Sequence, residues 1–318
     1  MITREAVIRN ARDYLNVQVW TPLVDSAVFN PAISHHTFHS AFTIGEENQA
    51  TRTSRMREYA VIPYVYGGFD TRTGFSGRVA ACVCPGGWDK ASGDGTKHWY
   101  DSAAADLPGH GYADRVPRTL AGIDCSGYVS RSWGLAGKEN TSSLPTLCLR
   151  IGRNDLKPGD ILNRRRNHVR LFDRTDGGDR VVVYEAAGGG RTRPFRHDDE
   201  FGRVVHHSIP WDPRYVPLSS FPQFSDLSPG PATYRAEAFE QLSISVRCRG
   251  SGDVEVLSMG VDGQSMPFTI RRLGDAIETS CRSSATFASG RHTIEVAAVN
   301  RVGGQSFHDR FRWEFDLA

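Results

Sequence analysis

Gly122-Ile123-Asp124-Cys125-Ser126-Gly127-Tyr128-Val129-Ser130-Arg131-Ser132-Trp133-Gly134 is the stretch on which the reading of this 318-residue chain turns. Asp124 to Trp133 reads as a helix, and Gly134 as its stop, since glycine accepts the left-handed conformation in which many helices end. Cys125 therefore stands at a helix start, where unpaired backbone N–H groups and the helix dipole favour negative charge. A thiolate there is a nucleophile, and the same N–H groups can receive the oxyanion formed when it attacks a carbonyl. Gly127 leaves space close to the sulfur. Cysteines in such places are often structural, so this reading needs a partner base.

His168 is that partner. It opens the β-prone run His168-Val169-Arg170-Leu171-Phe172, just after a polar loop, so its imidazole can project toward a helix end. Asp176-Gly177-Gly178-Asp179 is a hairpin signal, and Arg180-Val181-Val182-Val183-Tyr184-Glu185 is the returning strand. A strand period of two puts Val181, Val183 and Glu185 on one face. Glu185, on the strand next to His168, can then hold the ring in its productive tautomer, as the third member of a triad does.

Working outward, Arg4 to Leu15 reads as a helix, with Val7, Ala11, Tyr14 and Leu15 at helical spacing and Thr3 as its N-cap. Ile62 to Gly68 is a short β-prone run closed by paired glycines. Cys84 to Gly111 reads as a long polar surface insertion, and Asp155-Leu156-Lys157-Pro158-Gly159-Asp160 as a turn leading into the strand Ile161-Leu162-Asn163. Pro217, Pro222, Pro229 and Pro231 among serines mark a linker. Beyond it, the short runs Leu242–Val246, Val254–Met259, His292–Val299 and Arg310–Phe315 indicate a small β-sandwich. The expected organisation is a catalytic domain over 1–220, a linker over 221–232 and an Ig-like accessory β-sandwich over 233–318. Trp313 and Phe315 share one inward strand face by their spacing of two.

Composition narrows the function classes. Thirty-eight basic residues against thirty-six acidic ones leave a net charge of +2, too small to point to nucleic acid or an anionic membrane. The one dense basic run, Arg164-Arg165-Arg166, reads as a solvated loop. No stretch approaches the ~18 apolar residues of a membrane helix, and the N-terminus carries no signal peptide, which suits a protein that is not exported or a mature form without its leader. The histidines at 35, 36 and 39 lack cysteine or carboxylate neighbours at ligand spacing, so no metal and no cofactor is expected. Cys82 and Cys84 are too close for an easy mutual bridge, while Cys248 and Cys281 form either a pair or two buried thiols.

Taken together, Tyr64-x-Tyr66-Gly67-Gly68, Asp124-Cys125-Ser126-Gly127-Tyr128-Val129, Leu156-Lys157-Pro158-Gly159-Asp160 and Asn167-His168-Val169 resemble, in content and order, the NlpC-type cell-wall peptidases. The resemblance covers residues 4 to 200 and leaves out the C-terminal region. It implies an α+β papain-like fold, with the cysteine helix packed on an antiparallel sheet that carries the histidine. It also implies hydrolysis of amide bonds in peptidoglycan stem peptides, commonly D-γ-glutamyl–diamino acid bonds, and action outside the cell or in its envelope, with cytoplasmic muropeptide recycling as the alternative. Cys125 would be nucleophile and His168 general base. Tyr64 would line the site near the oxyanion, and Asp124 and Ser126 would contact substrate, Asp124 pairing with a free amino terminus. Three departures stand out: Glu185 at a position where His, Asn or Gln is usual, Arg170 where a small residue is usual, and long insertions before Tyr64 and before Cys125. Two alternatives use the same residues: an amidase, acyltransferase or transglutaminase proceeding through the same thioester, and a catalytically degenerate wall-binding protein.

Overall fold

The computed structural model describes residues 1–16, 38–39, 62, 64, 67–80, 84–85, 88–89, 120–187, 203–234, 242–283 and 287–318. Of these residues 52% are in strands and 16% are helical, which corrects the expectation of an α+β papain-like domain: the fold is β-rich. Helical patterning is confined to short segments. Among the described residues the α-helices are α1 (Arg4–Asp13), α2 (Arg72–Ala80) and α3 (Cys125–Ser132), none longer than ten residues. Helices of that length gain their stability from packing rather than from propensity. The β-branched and aromatic runs, by contrast, extend into long paired strands.

The chain divides into two compact units, residues 5–144 with 156–216, and residues 1–4 with 145–155 and 217–318. In the first unit, β1 (Ile161–Arg164), β2 (His168–Thr175), β3 (Arg180–Ala187) and β4 (Arg203–Pro210) form an antiparallel run in the order β4-β3-β2-β1. Between β2 and β3 the glycines 177 and 178 take φ of 71° and 54°, the left-handed conformation a tight hairpin needs. Between β1 and β2, Asn167 N–H donates to Arg164 O at 3.0 Å, and Arg166 takes φ of 59°. That turn makes His168 the first residue of β2.

Helix α3 packs against β2 and β3. Tyr128 and Trp133 are fully buried, and each has a partner for its polar atom. Tyr128 Oη donates to Ala11 O of α1 at 2.8 Å, and Trp133 Nε1 donates to Gly159 O at 3.0 Å. A second core in this unit joins Leu162, Phe172, Val181, Val183 and Tyr215. Helix α2 is absent from the sequence expectation. It is started by Thr71, whose Oγ1 accepts Gly74 N–H at 2.9 Å.

The second unit contains two sheets. In one, β5 (Gln223–Ser228), β6 (Leu242–Arg249), β8 (Thr269–Leu273) and β9 (Ala276–Ser283) run in the order β5-β6-β9-β8. In the other, β7 (Asp253–Val261), β10 (Gly290–Val302) and β11 (Gln305–Leu317) are flanked by short strands at Gln264–Ser265, Thr233–Tyr234 and Ile2–Thr3. One apolar core draws on both sheets, including Ile244, Val246, Val256, Ile294, Val296, Trp313 and Phe315. Residues 221–232, read from the sequence as linker, include β5, which pairs with β6. Cys248 and Cys281 are buried in this core without a disulfide, opposite Ile277 and Ile244 respectively, so the choice between a bridge and two buried thiols falls on the thiols. A bulge in β7 between Val256 and Ser258 shifts the alternation by one residue, so that Val254 and Val256 before it and Met259 and Val261 after it all face the core.

The close approach of Gly127 to Gly68 is the tightest constraint on α3. A Cβ at position 127 would lie 2.2 Å from Gly68 O, far inside contact distance. Gly127→Ala is expected to destabilise the first unit by ~1–3 kcal/mol, the range for overpacking a tight site. Denaturant unfolding of the variant against the parent measures this.

Candidate active site

Asp124 builds the start of α3. As N-cap it accepts Gly127 N–H at Oδ1 at 2.6 Å, with Ser126 Oγ donating to the same oxygen at 3.1 Å. Its Oδ2 accepts Gly67 N–H at 2.9 Å and Lys138 Nζ at 2.5 Å. Asp124 N–H in turn donates to Gly68 O at 3.1 Å. The buried carboxylate thus ties the Gly67-Gly68 turn, the helix start and a buried lysine into one knot, and Cys125 is the next residue. In this structure the ammonium paired with Asp124 is that of Lys138, and Ser126 is turned to Asp124. Tyr64 forms a parallel bridge with Ile123, and Phe69 an antiparallel one, so Tyr64 stands beside the segment that leads into Cys125.

Cys125, His168 and Glu185 are brought together. The Cys125 thiol is a free, buried group close enough to His168 to act on its imidazole. His168 Nε2 lies 2.5 Å from Glu185 Oε2, which leaves Nδ1 as the ring nitrogen for the sulfur. The ring is also edge-on to Tyr215, with centroids 6.4 Å apart. Burial disfavours a charged His168, but its interactions with Cys125 and Glu185 outweigh it and take the imidazole up to about 9. Burial likewise opposes ionisation of Glu185, yet His168 and then Arg170 pull its carboxyl down to about 2.

Two further residues complete the surroundings of Glu185. Arg170 donates through Nε to Oε2 at 2.9 Å, and its guanidinium lies 4.3 Å above the centre of the Tyr215 ring. His207, on β4, places Nε2 2.6 Å from Oε1. From sequence, Arg170 registered only as a departure from a motif. Its position two residues after His168, on the same strand face, was the signal available. His207 carried a fainter one, in the alternation of Arg203-Val204-Val205-His206-His207.

Residues 35 and 36 and Cys82 lie outside the described residues, as does most of the 84–111 insertion. Among the described residues no cluster of three or more His, Cys, Asp or Glu has the arrangement of a metal site. No helix among them is long and apolar enough to cross a membrane. No family model matches this chain, and no curated protein sequence matches it.

The coupling of His168 and Glu185 has a consequence for stability. The imidazole is raised from 6.5 to about 9, so its contribution is complete below pH 6.5 and is lost as pH rises through about 9. The carboxyl is lowered from 4.5 to about 2, so its contribution is complete above pH 4.5 and is lost as pH falls through about 2. Thermal unfolding from pH 6 to 10 is expected to show a decline that His168→Gln flattens. Lys138→Ala, which leaves the Asp124 carboxylate buried without its cation, is expected to cost about 3 kcal/mol or more in denaturant unfolding.

Proposed function

We propose that this protein is a cysteine hydrolase that cleaves amide bonds, with Cys125 as nucleophile, His168 as general base and acid, and Glu185 as the residue that orients His168. The observation that carries this reading is the grouping of a free thiol, an imidazole on which it acts and a buried carboxylate, the last two 2.5 Å apart. Each member has the environment its role needs. The sulfur stands at a helix start, the ring carries its proton across neutral pH, and the carboxylate stays ionised.

In the proposed reaction the thiolate adds to the substrate carbonyl, and negative charge moves to the carbonyl oxygen. The cap uses the N–H groups of Gly127 and Tyr128, which leaves those of Cys125 and Ser126 as the donors nearest the sulfur. His168 passes its proton to the departing amine, and a thioester forms on Cys125. Neutral His168 then takes a proton from water, hydroxide adds to the thioester, and the acid is released as the thiolate returns.

The substrate class comes from the motifs that resemble NlpC-type cell-wall peptidases: amides of peptidoglycan stem peptides, with D-γ-glutamyl–diamino acid bonds first among them. That substrate places the proposed activity in the cell envelope or outside the cell. It rests on Tyr64, Gly67, Gly68, the Asp124–Val129 block and His168-Val169.

Muropeptides digested with the parent protein are expected to yield new amine and carboxyl termini by mass spectrometry, and Cys125→Ala to yield none. His168→Ala is expected to lower kcat about a thousandfold or more. The alkaline limb of kcat/KM is expected near pH 9, where His168 loses its proton, and Glu185→Gln is expected to move it to lower pH. Intact muropeptides after digestion by the parent protein would refute the substrate class, and full activity in Cys125→Ala would refute the mechanism.

A further inference from the structure

Glu185 receives three donors, and they divide unequally between its oxygens. Among the described residues, His168 Nε2 and Arg170 Nε share Oε2 at 2.5 and 2.9 Å, whereas His207 Nε2 holds Oε1, at 2.6 Å. Strand register explains the placement. Val205 of β4 lies opposite Glu185 of β3, and His207, two residues further on, shares that face. The three donors also differ in their access to water: the side chains of His168 and Arg170 are 17% and 19% exposed, and that of His207 is 43% exposed.

A carboxylate held at one oxygen can rotate and exchange its oxygens; held at both, it is fixed in plane. His207 is the donor that closes this second hold, and the most exposed of the three. We propose that His207 is a positioning residue: it locks the plane of Glu185 so that Oε2 stays on His168. This rests on the reading of Cys125, His168 and Glu185 given above.

The groups around His207 define the contact. Facing it are Glu185 from β3 and, across the carboxylate, His168 and Arg170 from β2. On its own strand His206 points to the opposite face, stacked on Tyr184 at 3.9 Å and bonded to Asp173 at 3.0 Å.

The test is the rate at which iodoacetamide alkylates Cys125, followed from pH 4 to 10 with the full chain, since it needs no substrate. His207→Ala is expected to lower that rate about tenfold and to move the alkaline limb to lower pH. His207→Gln, which keeps an N–H donor, is expected to recover most of the loss. In a Glu185→Gln background, His207→Ala is expected to add no further change, an outcome that a merely structural role would not give. Unfolding midpoints of all variants separate these effects from loss of the fold. A parent-like rate and alkaline limb in His207→Ala overturn the proposal. An alkylation rate in the parent that His168→Ala leaves unchanged overturns the Cys125–His168 reading itself.

Discussion

A single buried carboxylate organises the site. Glu185 is 4% exposed and sits on a strand covered on both faces, a position where an unpaired charge would be very costly. It is tolerated there because three cationic or proton-donating side chains converge on it. Their convergence is a property of the sheet: β2 and β4 flank β3, and each delivers donors to the same face. Removing the carboxylate would leave His168, Arg170 and His207 without a common acceptor. The arrangement therefore links the hairpin, the fourth strand and the imidazole into one electrostatic unit.

Asp124 does for the nucleophile what Glu185 does for the base. Its two oxygens collect two backbone N–H groups, a hydroxyl and an ammonium, fixing the turn at Gly67-Gly68 against the start of α3. The site is thus assembled from two inflexible supports, one for sulfur and one for imidazole, and each is a buried acid with its own cation. Such preorganisation lowers the reorganisation needed when charge moves between the reacting groups.

What was legible in the sequence follows from the range of the interactions concerned. The helix from Cys125, the glycine hairpin at 177–178 and the strands around His168 and Glu185 are specified by local spacing, and the structure has them close to where the sequence puts them. The meeting of Glu185 with His168 was also within reach, since a hairpin makes neighbours of sequence-adjacent strands. The role of Lys138 was not, because nothing local distinguishes a buried lysine that meets a carboxylate across a loop from one in solvent. His207 was hidden for a similar reason: β4 lies beyond a segment with no periodic signal, and its register to β3 is a tertiary fact. The fold class was misjudged because short helices look prominent in a sequence scan, whereas the strands lengthen through pairing that no single run announces; β10 and β11 each reach thirteen residues.

The strand at Ile2–Thr3 carries a consequence for how the chain reaches its native state. It runs parallel to β11, with Ile2 beside Phe307 and Thr3 beside His308, and Arg4 bonds Asp309 at 2.7 Å. Partners about 305 residues apart incur a large loop-closure entropy. On a ribosome Ile2 and Thr3 must wait until Phe307 and His308 are made before their neighbours exist. The second unit therefore completes its sheet only after synthesis of β11, while the segments that supply Cys125, His168 and Glu185 have all emerged well before.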